Sequence, residues 1–323
     1  MNPTFNRRAA LMLAACALLG ETAHAQAQNL RVILPVGPGS TVDVIARSVQ
    51  SALSAALNNT PVVIENLPGA GGITGTTALV KSAPDGNTIA FVSNNHAVNP
   101  SVFKKLPYDS LTDITPISVV GGSPFVLVVN PAKVPARNAK ELQAFLKAKP
   151  GDYNYASSGN GTIIHLGAEM FADAVDAQVK HIPYKGMGPM ITALMSGEVE
   201  MGVVAVASVQ ALLKSGALRA IGVMGKDRIA SLPDLPTIAE QGFPEVDLVG
   251  WFAVVGPAKL APAQVKRLHA AIVTAFNDQG VKATMSRQEN FIHPTSPEVA
   301  AQFFKSEQDR VAKLVAKAGL KTD

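Results

Sequence analysis

Cysteine, aromatic residues and runs of like charge are all scarce in this chain of 323 residues. It has one cysteine, Cys16, and a single thiol cannot form an intramolecular disulfide or a thiolate metal site. Aromatic residues make up 5% of the sequence, the net charge is +4, and no stretch carries five or six like charges. These absences exclude a disulfide scaffold and argue against nucleic acid as a partner. Stability has to come from burial of apolar residues, which make up 47% of the chain.

The first 25 residues have the pattern of a secretory signal peptide. Arg7 and Arg8 precede an apolar stretch at residues 9–19, and residues 23–25 (Ala-His-Ala) fit a small-residue cleavage site. The stretch is too short for a transmembrane helix, so we expect a soluble, exported mature chain. Residues 13–16 (Leu-Ala-Ala-Cys) also have the pattern of a lipobox, and lipid anchoring at Cys16 is the alternative. That alternative leaves an apolar region of about seven residues, the lower limit for a signal peptide.

Strand-like and helical segments alternate along the rest of the chain, which predicts an α/β fold with mostly parallel sheets. The strand-like runs are 30–34, 61–65, 88–93, 117–120, 125–129, 153–157, 179–184, 201–205, 218–224 and 248–255. Two helices close the chain, and the second is predicted to begin after Ser296 and to end at Gly319. The length predicts two domains, and we expect two lobes joined by extended crossings at residues 120–125 and 248–253. Lobe 1 is expected to comprise residues 28–122 and 250–323, and lobe 2 residues 123–249.

Two glycine-containing turns have the composition of an anion-binding loop. Each follows a strand-like run and opens an amphipathic helix, so it offers hydroxyls and helix N-terminal N–H groups to a carboxylate or phosphate. Neither turn has the lysine that a Walker A loop needs, so nucleotide is a poor candidate. An ordinary helix start, with Thr162 as its N-cap, is the alternative for the second turn. The candidate ligand-binding residues are Pro38, Gly39, Ser40 and Thr41 in the first turn and Ser157, Ser158, Gly159, Gly161 and Thr162 in the second.

Two further strand ends supply candidates for the walls of a binding site. Ser93, Asn94 and His96 follow the end of one strand, where open α/β sheets bind ligands; a solvated loop position is the alternative for His96. Tyr184 and Lys185 end another strand. Tyr184 is a candidate pocket wall, and Lys185 is a candidate partner for a second carboxylate, with a solvated surface lysine as the alternative.

Asp43, just inside the first of these helices, has a different expected role. An acid facing an anionic ligand would repel it. We therefore expect Asp43 to serve the turn and the helix start.

No constellation typical of an enzyme is found in the sequence. There is no Gly-x-Ser-x-Gly elbow. No two of the following histidines have metal-ligand spacing on one helix: His165, His181, His269 and His293. Gly69 and Gly71 follow a strand, but the third glycine of a dinucleotide fingerprint falls at Gly75, one position late. We expect no catalytic activity, no metal and no cofactor; a Rossmann-type oxidoreductase is the enzyme alternative.

Seven short motifs occur in a fixed order over nearly all of the mature chain. They lie at residues 35–47, 65–72, 83–86, 106–109, 157–165, 182–186 and 232–237. In this order they resemble the periplasmic solute-binding component of tripartite tricarboxylate transporters, the TctC or Bug family. The chain departs from the family pattern at Ser40, where a glycine is usual, and at Val42, where serine or threonine is usual.

The resemblance implies a two-lobed type II periplasmic binding protein, a Venus flytrap with the ligand cleft between the lobes. It implies capture of a di- or tricarboxylate or an aromatic acid for the membrane permease subunits, with presentation to a sensor kinase as the alternative. We expect a monomer in the periplasm. Some amino-acid-binding relatives place an acidic residue near the position of Ala205, where it pairs with the ammonium group of the ligand. Residues 201–207 of this chain contain no acid. We therefore expect a simple carboxylate ligand, with Ala205 in contact with it.

Overall fold

The computed structural model describes residues 29–318. The predicted signal peptide, Cys16 and the predicted helix terminator Gly319 lie outside these residues. Among the described helices, none combines the length and the apolar character needed to cross a bilayer. The order of strands and helices is α/β throughout, as the sequence predicts.

The first half of the sheet consists mainly of parallel strands. β1 (Leu30–Leu34) pairs in parallel with β2 (Val62–Asn66) and with β3 (Thr88–Ser93). The helices that connect these strands are α1 (Thr41–Ala56), α2 (Ile73–Val80) and α3 (Asn95–Val102). A core of buried aliphatic side chains lies between this sheet, α1 and α8 (Pro262–Phe276).

The second half repeats this arrangement. β5 (Asn154–Ser157) pairs in parallel with β6 (Lys180–Pro183) and β7 (Met201–Ala205). Its helices are α4 (Ala139–Lys147), α5 (Ile163–Ala174), α6 (Met187–Ser196) and α7 (Val206–Ser215), and β8 (Arg219–Val223) pairs antiparallel with residues 126–129. In each half, the carboxyl ends of the parallel strands lead into the predicted anion-binding turns.

Two long strands join the halves. β4 (Ile114–Val129) pairs antiparallel with β9 (Val249–Pro257) up to Pro124, and from Phe125 onward it pairs with β7 instead. The sequence predicts two strand-like runs here, 117–120 and 125–129, with an extended crossing between them at residues 120–125. The structure has extended backbone at this crossing, but it joins the two runs into one strand of 16 residues with shifts of register.

The glycines in β4 are required by a close neighbour rather than by a turn. β10 (Phe291–Ile292) pairs with Gly121 and Gly122. A Cβ at Gly121 would lie 2.0 Å from the backbone oxygen of Phe291, so no larger residue fits while β10 is paired.

The C-terminal helix α10 (Pro297–Lys317) packs on α3 and β4, and it begins with Ser296 as N-cap as predicted. Between α8 and α10 lies the short helix α9 (Gln279–Arg287). On α10, the carboxylate of Glu307 is buried and accepts hydrogen bonds from Trp251 Nε1 at 3.0 Å and from two nitrogens of Arg310 at 2.8 Å. These bonds fix α10 to β9, one of the two joining strands.

Arg310→Met is expected to lower the free energy of unfolding by about 2 kcal/mol, because it removes the cation that compensates a buried carboxylate. The double variant E307Q/R310M leaves no unpaired charge and is expected to recover at least half of this loss. Urea unfolding followed by the fluorescence of Trp251, the single tryptophan, measures both values. Equal losses in the single and double variants would contradict a charge effect.

Candidate functional site

The first predicted anion-binding turn, residues 35–43, is held from within by Asp43. This buried carboxylate accepts the backbone N–H of Gly39, Arg47 Nε and Asn66 Nδ2, each at 2.9 Å. Burial by itself raises the pKa of Asp43, but the hydrogen bonds from Arg47, Gly39 and Asn66 outweigh it and hold the pKa below its usual value. Asp43 therefore fixes the turn, which is the role that the sequence predicts for it.

The same turn is open on its outer side. Pro38 and Gly39 are exposed, and a Cβ added at Gly39 would find no atom within 4 Å. The Ser40 hydroxyl accepts the N–H of Asp43 at 3.3 Å, so this oxygen caps α1. Thr41, at the first position of α1, is half-buried. The turn thus presents the backbone of residues 38–39 and the N-terminus of α1 to open space.

The second predicted turn, residues 157–162, begins α5 with Thr162 as N-cap. The Thr162 hydroxyl accepts the N–H of His165 at 3.3 Å and donates to the carbonyl of Gly159 at 2.9 Å. Ser158 Oγ in turn donates to the Thr162 hydroxyl oxygen at 3.3 Å. The two hydroxyls thus form a connected pair at the start of the helix.

The glycine N–H groups of this second turn point inward. Gly159 N–H donates to Ser157 Oγ, and Gly161 N–H donates to His165 Nδ1, both at 3.1 Å. The prediction that these two amides donate to a ligand carboxylate needs correction for this reason. In this structure both already have protein partners, and buried Ser157 serves the turn rather than an open surface.

A layer of stacked rings under the second turn was not anticipated. The rings of His165 and His181 stack with centroids 3.7 Å apart, and His181 Nε2 lies 2.6 Å from Ser157 Oγ. The ring of Tyr155 stacks on that of His181, and the Tyr155 hydroxyl donates a hydrogen bond to Glu169. The sequence contains little that would predict this layer. His165 lies one helical turn beyond Gly161, but no pattern links it to His181, sixteen positions later.

Burial sets the charge of this layer. Desolvation, followed by repulsion from His165, lowers the pKa of His181 to about 4. Glu169 is also desolvated, but the neighbouring His165 imidazole and the hydrogen bond from Tyr155 keep its pKa below the usual value. His181 is therefore neutral at pH 7. No group of three or more His, Cys, Asp or Glu side chains among residues 29–318 is arranged to hold a metal.

The segment after β3 serves packing more than a pocket wall. Asn94 is buried; its Nδ2 donates to Val249 O at 3.0 Å, and its Oδ1 accepts the N–H of Trp251 at 2.8 Å. His96 is buried against Phe304, and its Nε2 lies 2.8 Å from the carbonyl of Ser110. The prediction that His96 contacts a ligand, or is solvated, is not supported because its ring has no exposed face.

Asn95, which the sequence analysis missed, makes the contact across the cleft instead. Its Oδ1 accepts the N–H of Ile163, at the start of α5, at 2.9 Å. Beside it, Gly161 lies against α3 so closely that a Cβ there would be 2.6 Å from Val102 Cγ1. The turn at 157–162 is thus in direct contact with α3.

The remaining predicted residues are spread along the strand ends. Ser93 pairs with Phe252 of β9 and is half-buried. Tyr184 is half-buried, and burial together with its 2.9 Å hydrogen bond to Glu198 raises its pKa to about 12. Lys185 is exposed, and Ala205 is buried at the end of β7. Lys185 is the one cation among the predicted site residues.

A separate cavity of about 370 Å³ lies beside the joining strands, between β9, β10 and α10. Its walls are mainly apolar and include Trp251, Phe291 and Phe303, and its charged side chains are Asp247, Glu307 and Arg310. None of the predicted site residues lines it. Arg310 is already paired with the buried Glu307, which leaves Asp247 as the second acid of this lining, so we place the candidate anion site at the two turns.

Titration of the buried histidines gives a test of this geometry. Burial lowers the pKa of both His181 and His96, so the unfolded chain binds more protons than the folded protein between pH 6.5 and about 4. The free energy of unfolding must therefore fall as the pH is lowered through this window. His181→Phe is expected to reduce that slope by roughly 1 kcal/mol per pH unit in urea unfolding experiments between pH 6.5 and 5. Phe in place of the exposed His293 serves as the control, and an unchanged slope in H181F would contradict the assigned charge state.

Comparison with known proteins gives consistent matches over most of the chain. Residues 45–320 match the tripartite tricarboxylate transporter family receptor, TctC. Protein BugT of Bordetella pertussis is 35% identical over 297 residues, which cover 91% of this chain and 90% of BugT. A solved periplasmic transporter is 34% identical, with a TM-score of 0.85, over 91% of this chain and 98% of its own. The R. palustris protein Rpa4515, solved with adipate, is 26% identical, with a TM-score of 0.86 and the same two coverages.

Proposed function

Since this chain belongs to the tripartite tricarboxylate transporter receptor family, we propose that it captures a small carboxylate in the periplasm and delivers it to the permease of such a transporter. Members of the family are solute-binding receptors with the two-lobed fold described above. That the chain acts as a monomer and catalyses no reaction is part of the proposal. The predicted signal peptide at residues 1–25 supplies the route of export.

The observation that carries the proposal is the pair of turns at the N-termini of α1 and α5. A helix N-terminus has a partial positive charge and unpaired N–H groups, which favour an anion. We place one carboxylate between residues 38–41 of the first turn and Ser158 and Thr162 of the second. The glycine N–H groups of the second turn are already bonded to Ser157 and His165 and cannot turn without moving the backbone. The second turn therefore contributes its hydroxyls, whose hydrogens rotate away from Thr162 and from the Gly159 carbonyl to donate to the ligand.

We further propose a dicarboxylate as the ligand class. Rpa4515 was solved with adipate, which has a second carboxylate. In this chain the exposed Lys185 follows β6. The residue before it, Tyr184, lies next to the second turn, since its carbonyl oxygen is 3.6 Å from the position that a Cβ would take at Gly159. A cation there can meet the distal carboxylate. The end of β7 around Ala205 carries no acid that would pair with an amino group.

Closure of the two lobes is proposed to occur about the joining strands. Lobe 1 would contain residues 28–122 and 250–323, and lobe 2 residues 123–249, since β4 changes its pairing partner at Phe125. The contacts of Asn95 with Ile163 and of Gly161 with α3 then form only when the lobes are together. A ligand that touches both turns shifts the equilibrium towards this closed state.

A thermal-shift screen of the chain from Gln26 onward tests the proposal. Adipate, malate, citrate and benzoate are the carboxylates, and NAD and glucose are the comparison ligands. A carboxylate at a hundred times its dissociation constant is expected to stabilise the protein by about 2.7 kcal/mol. Stabilisation by NAD or glucose, with no response to any carboxylate before or after refolding from denaturant, would contradict the proposal.

Gly161→Ala tests closure separately from stability. The added Cβ would lie 2.6 Å from Val102 across the cleft, at a residue with φ of 69°. Gly151→Ala is the matched control, because Gly151 has φ of 79° and open space around its Cβ position. Both variants are expected to lose about 1 kcal/mol of stability, but only G161A is expected to lose tenfold or more in carboxylate affinity by calorimetry. Equal affinities would show that this contact is not part of the bound state.

A further inference from the structure

We propose that His165 and His181 are positioning residues of the second turn, which hold its two glycine N–H groups inward so that the hydroxyls of Ser158 and Thr162 face the ligand. This inference rests on the proposed function, because it concerns the turn that we propose holds the carboxylate. Neither histidine is proposed to touch the ligand itself.

The first connection, between His165 and Gly161, is a direct hydrogen bond. Gly161 N–H donates to His165 Nδ1 at 3.1 Å, so Nδ1 carries no proton and the ring proton lies on Nε2. That Nε2 lies 3.8 Å from Glu169 Oε1. A carboxylate on this side favours the proton at Nε2, which leaves Nδ1 as the acceptor that Gly161 needs.

The second connection, between His181 and Gly159, passes through the hydroxyl of Ser157. His181 Nε2 lies 2.6 Å from Ser157 Oγ, and that oxygen accepts the N–H of Gly159 at 3.1 Å. The serine hydroxyl also lies 3.1 Å from the Gly159 carbonyl oxygen. The hydroxyl thus binds both polar groups of Gly159, and His181 fixes where the hydroxyl sits.

Both glycines adopt backbone conformations that need such support. Gly159 has φ of 138° and Gly161 has φ of 69°, in the region where glycine is the favoured residue. A glycine turn has many other conformations available, so fixing this one has an entropic cost. The two hydrogen-bonded connections select it before any ligand arrives, which is how a preorganised site gains affinity.

The stacking of the two rings locks the arrangement. Their centroids are 3.7 Å apart, the ring of Tyr155 lies 5.0 Å from that of His181 and 6.0 Å from that of His165, and Thr162 bonds the backbone of His165. Neither ring can turn without displacing its neighbour. The positions of the acceptor atoms below the turn are therefore fixed by packing as well as by hydrogen bonds.

Two substitutions at His165 separate positioning from packing. His165→Asn keeps an acceptor oxygen where Nδ1 lies but removes most of the ring, whereas His165→Phe keeps the ring but offers no acceptor. A positioning role predicts that H165N binds adipate within about threefold of the wild type and that H165F loses tenfold or more. His293→Phe is the control for loss of a histidine, since His293 is exposed and lies outside the site.

A second readout does not depend on ligand. In ¹⁵N-labelled protein, a coupling between the Gly161 nitrogen and His165 Nδ1 is expected across the hydrogen bond. Exchange of the Gly161 amide with solvent is expected to rise tenfold or more in H165F and to stay within threefold of the wild type in H165N.

The two readouts distinguish failure of this inference from failure of the proposed function. Wild-type affinity and amide protection in H165F, or equal losses in H165N and H165F, would overturn the positioning role. If the wild type binds no carboxylate, the proposed function fails, while the Gly161 amide still reports whether His165 holds the turn.

Discussion

β4 and β9 are hydrogen-bonded to each other from Ile114 to Pro124, and the placement of both halves of the molecule depends on this pair. β9 continues the first half through β3, and β4 continues into the second half through β7. Asn94 bonds to the backbone of β9, and the next residue, Asn95, bonds to the start of α5. The joining strands and the contact across the cleft are thus linked through two adjacent side chains.

The two turns at the cleft are stabilised by the same principle with different residues. In the first, the carboxylate of Asp43 accepts the Gly39 amide and draws Arg47 and Asn66 to it. In the second, an imidazole nitrogen of His165 and the Ser157 hydroxyl accept the glycine amides. Each turn therefore satisfies its glycine backbone before it meets a ligand, and what it offers to the ligand is a helix N-terminus together with hydroxyls whose hydrogens can rotate.

Much of the fold could be predicted from the sequence, because strand runs and helix caps are local signals. The caps at Thr162 and Ser296 are present as the residue types indicate. The continuous β4 was missed because Gly121 and Gly122 are required by β10, which arrives from some 170 positions later. Long-range pairing of this kind leaves no local pattern.

The site was harder to predict than the fold. The turns themselves were found by composition, but the direction of each N–H depends on partners elsewhere in the chain. His181 reaches Ser157 because β6 pairs with β5, and Asn95 reaches Ile163 because α3 lies against α5. Asn94 and His96 looked like ligand contacts at a strand end, but tertiary packing buries both.

The central claim is that one carboxylate ligand is held by both turns at once, and an NMR titration of ¹⁵N-labelled protein with adipate tests it most directly. The account predicts that the amide resonances of residues 39–42 and 158–164 shift together with a single dissociation constant. The resonance of the Trp251 indole N–H, beside the separate apolar cavity, is expected to shift only as a result of lobe closure. Shifts confined to Trp251 and the cavity residues, with both turns unmoved, would contradict it.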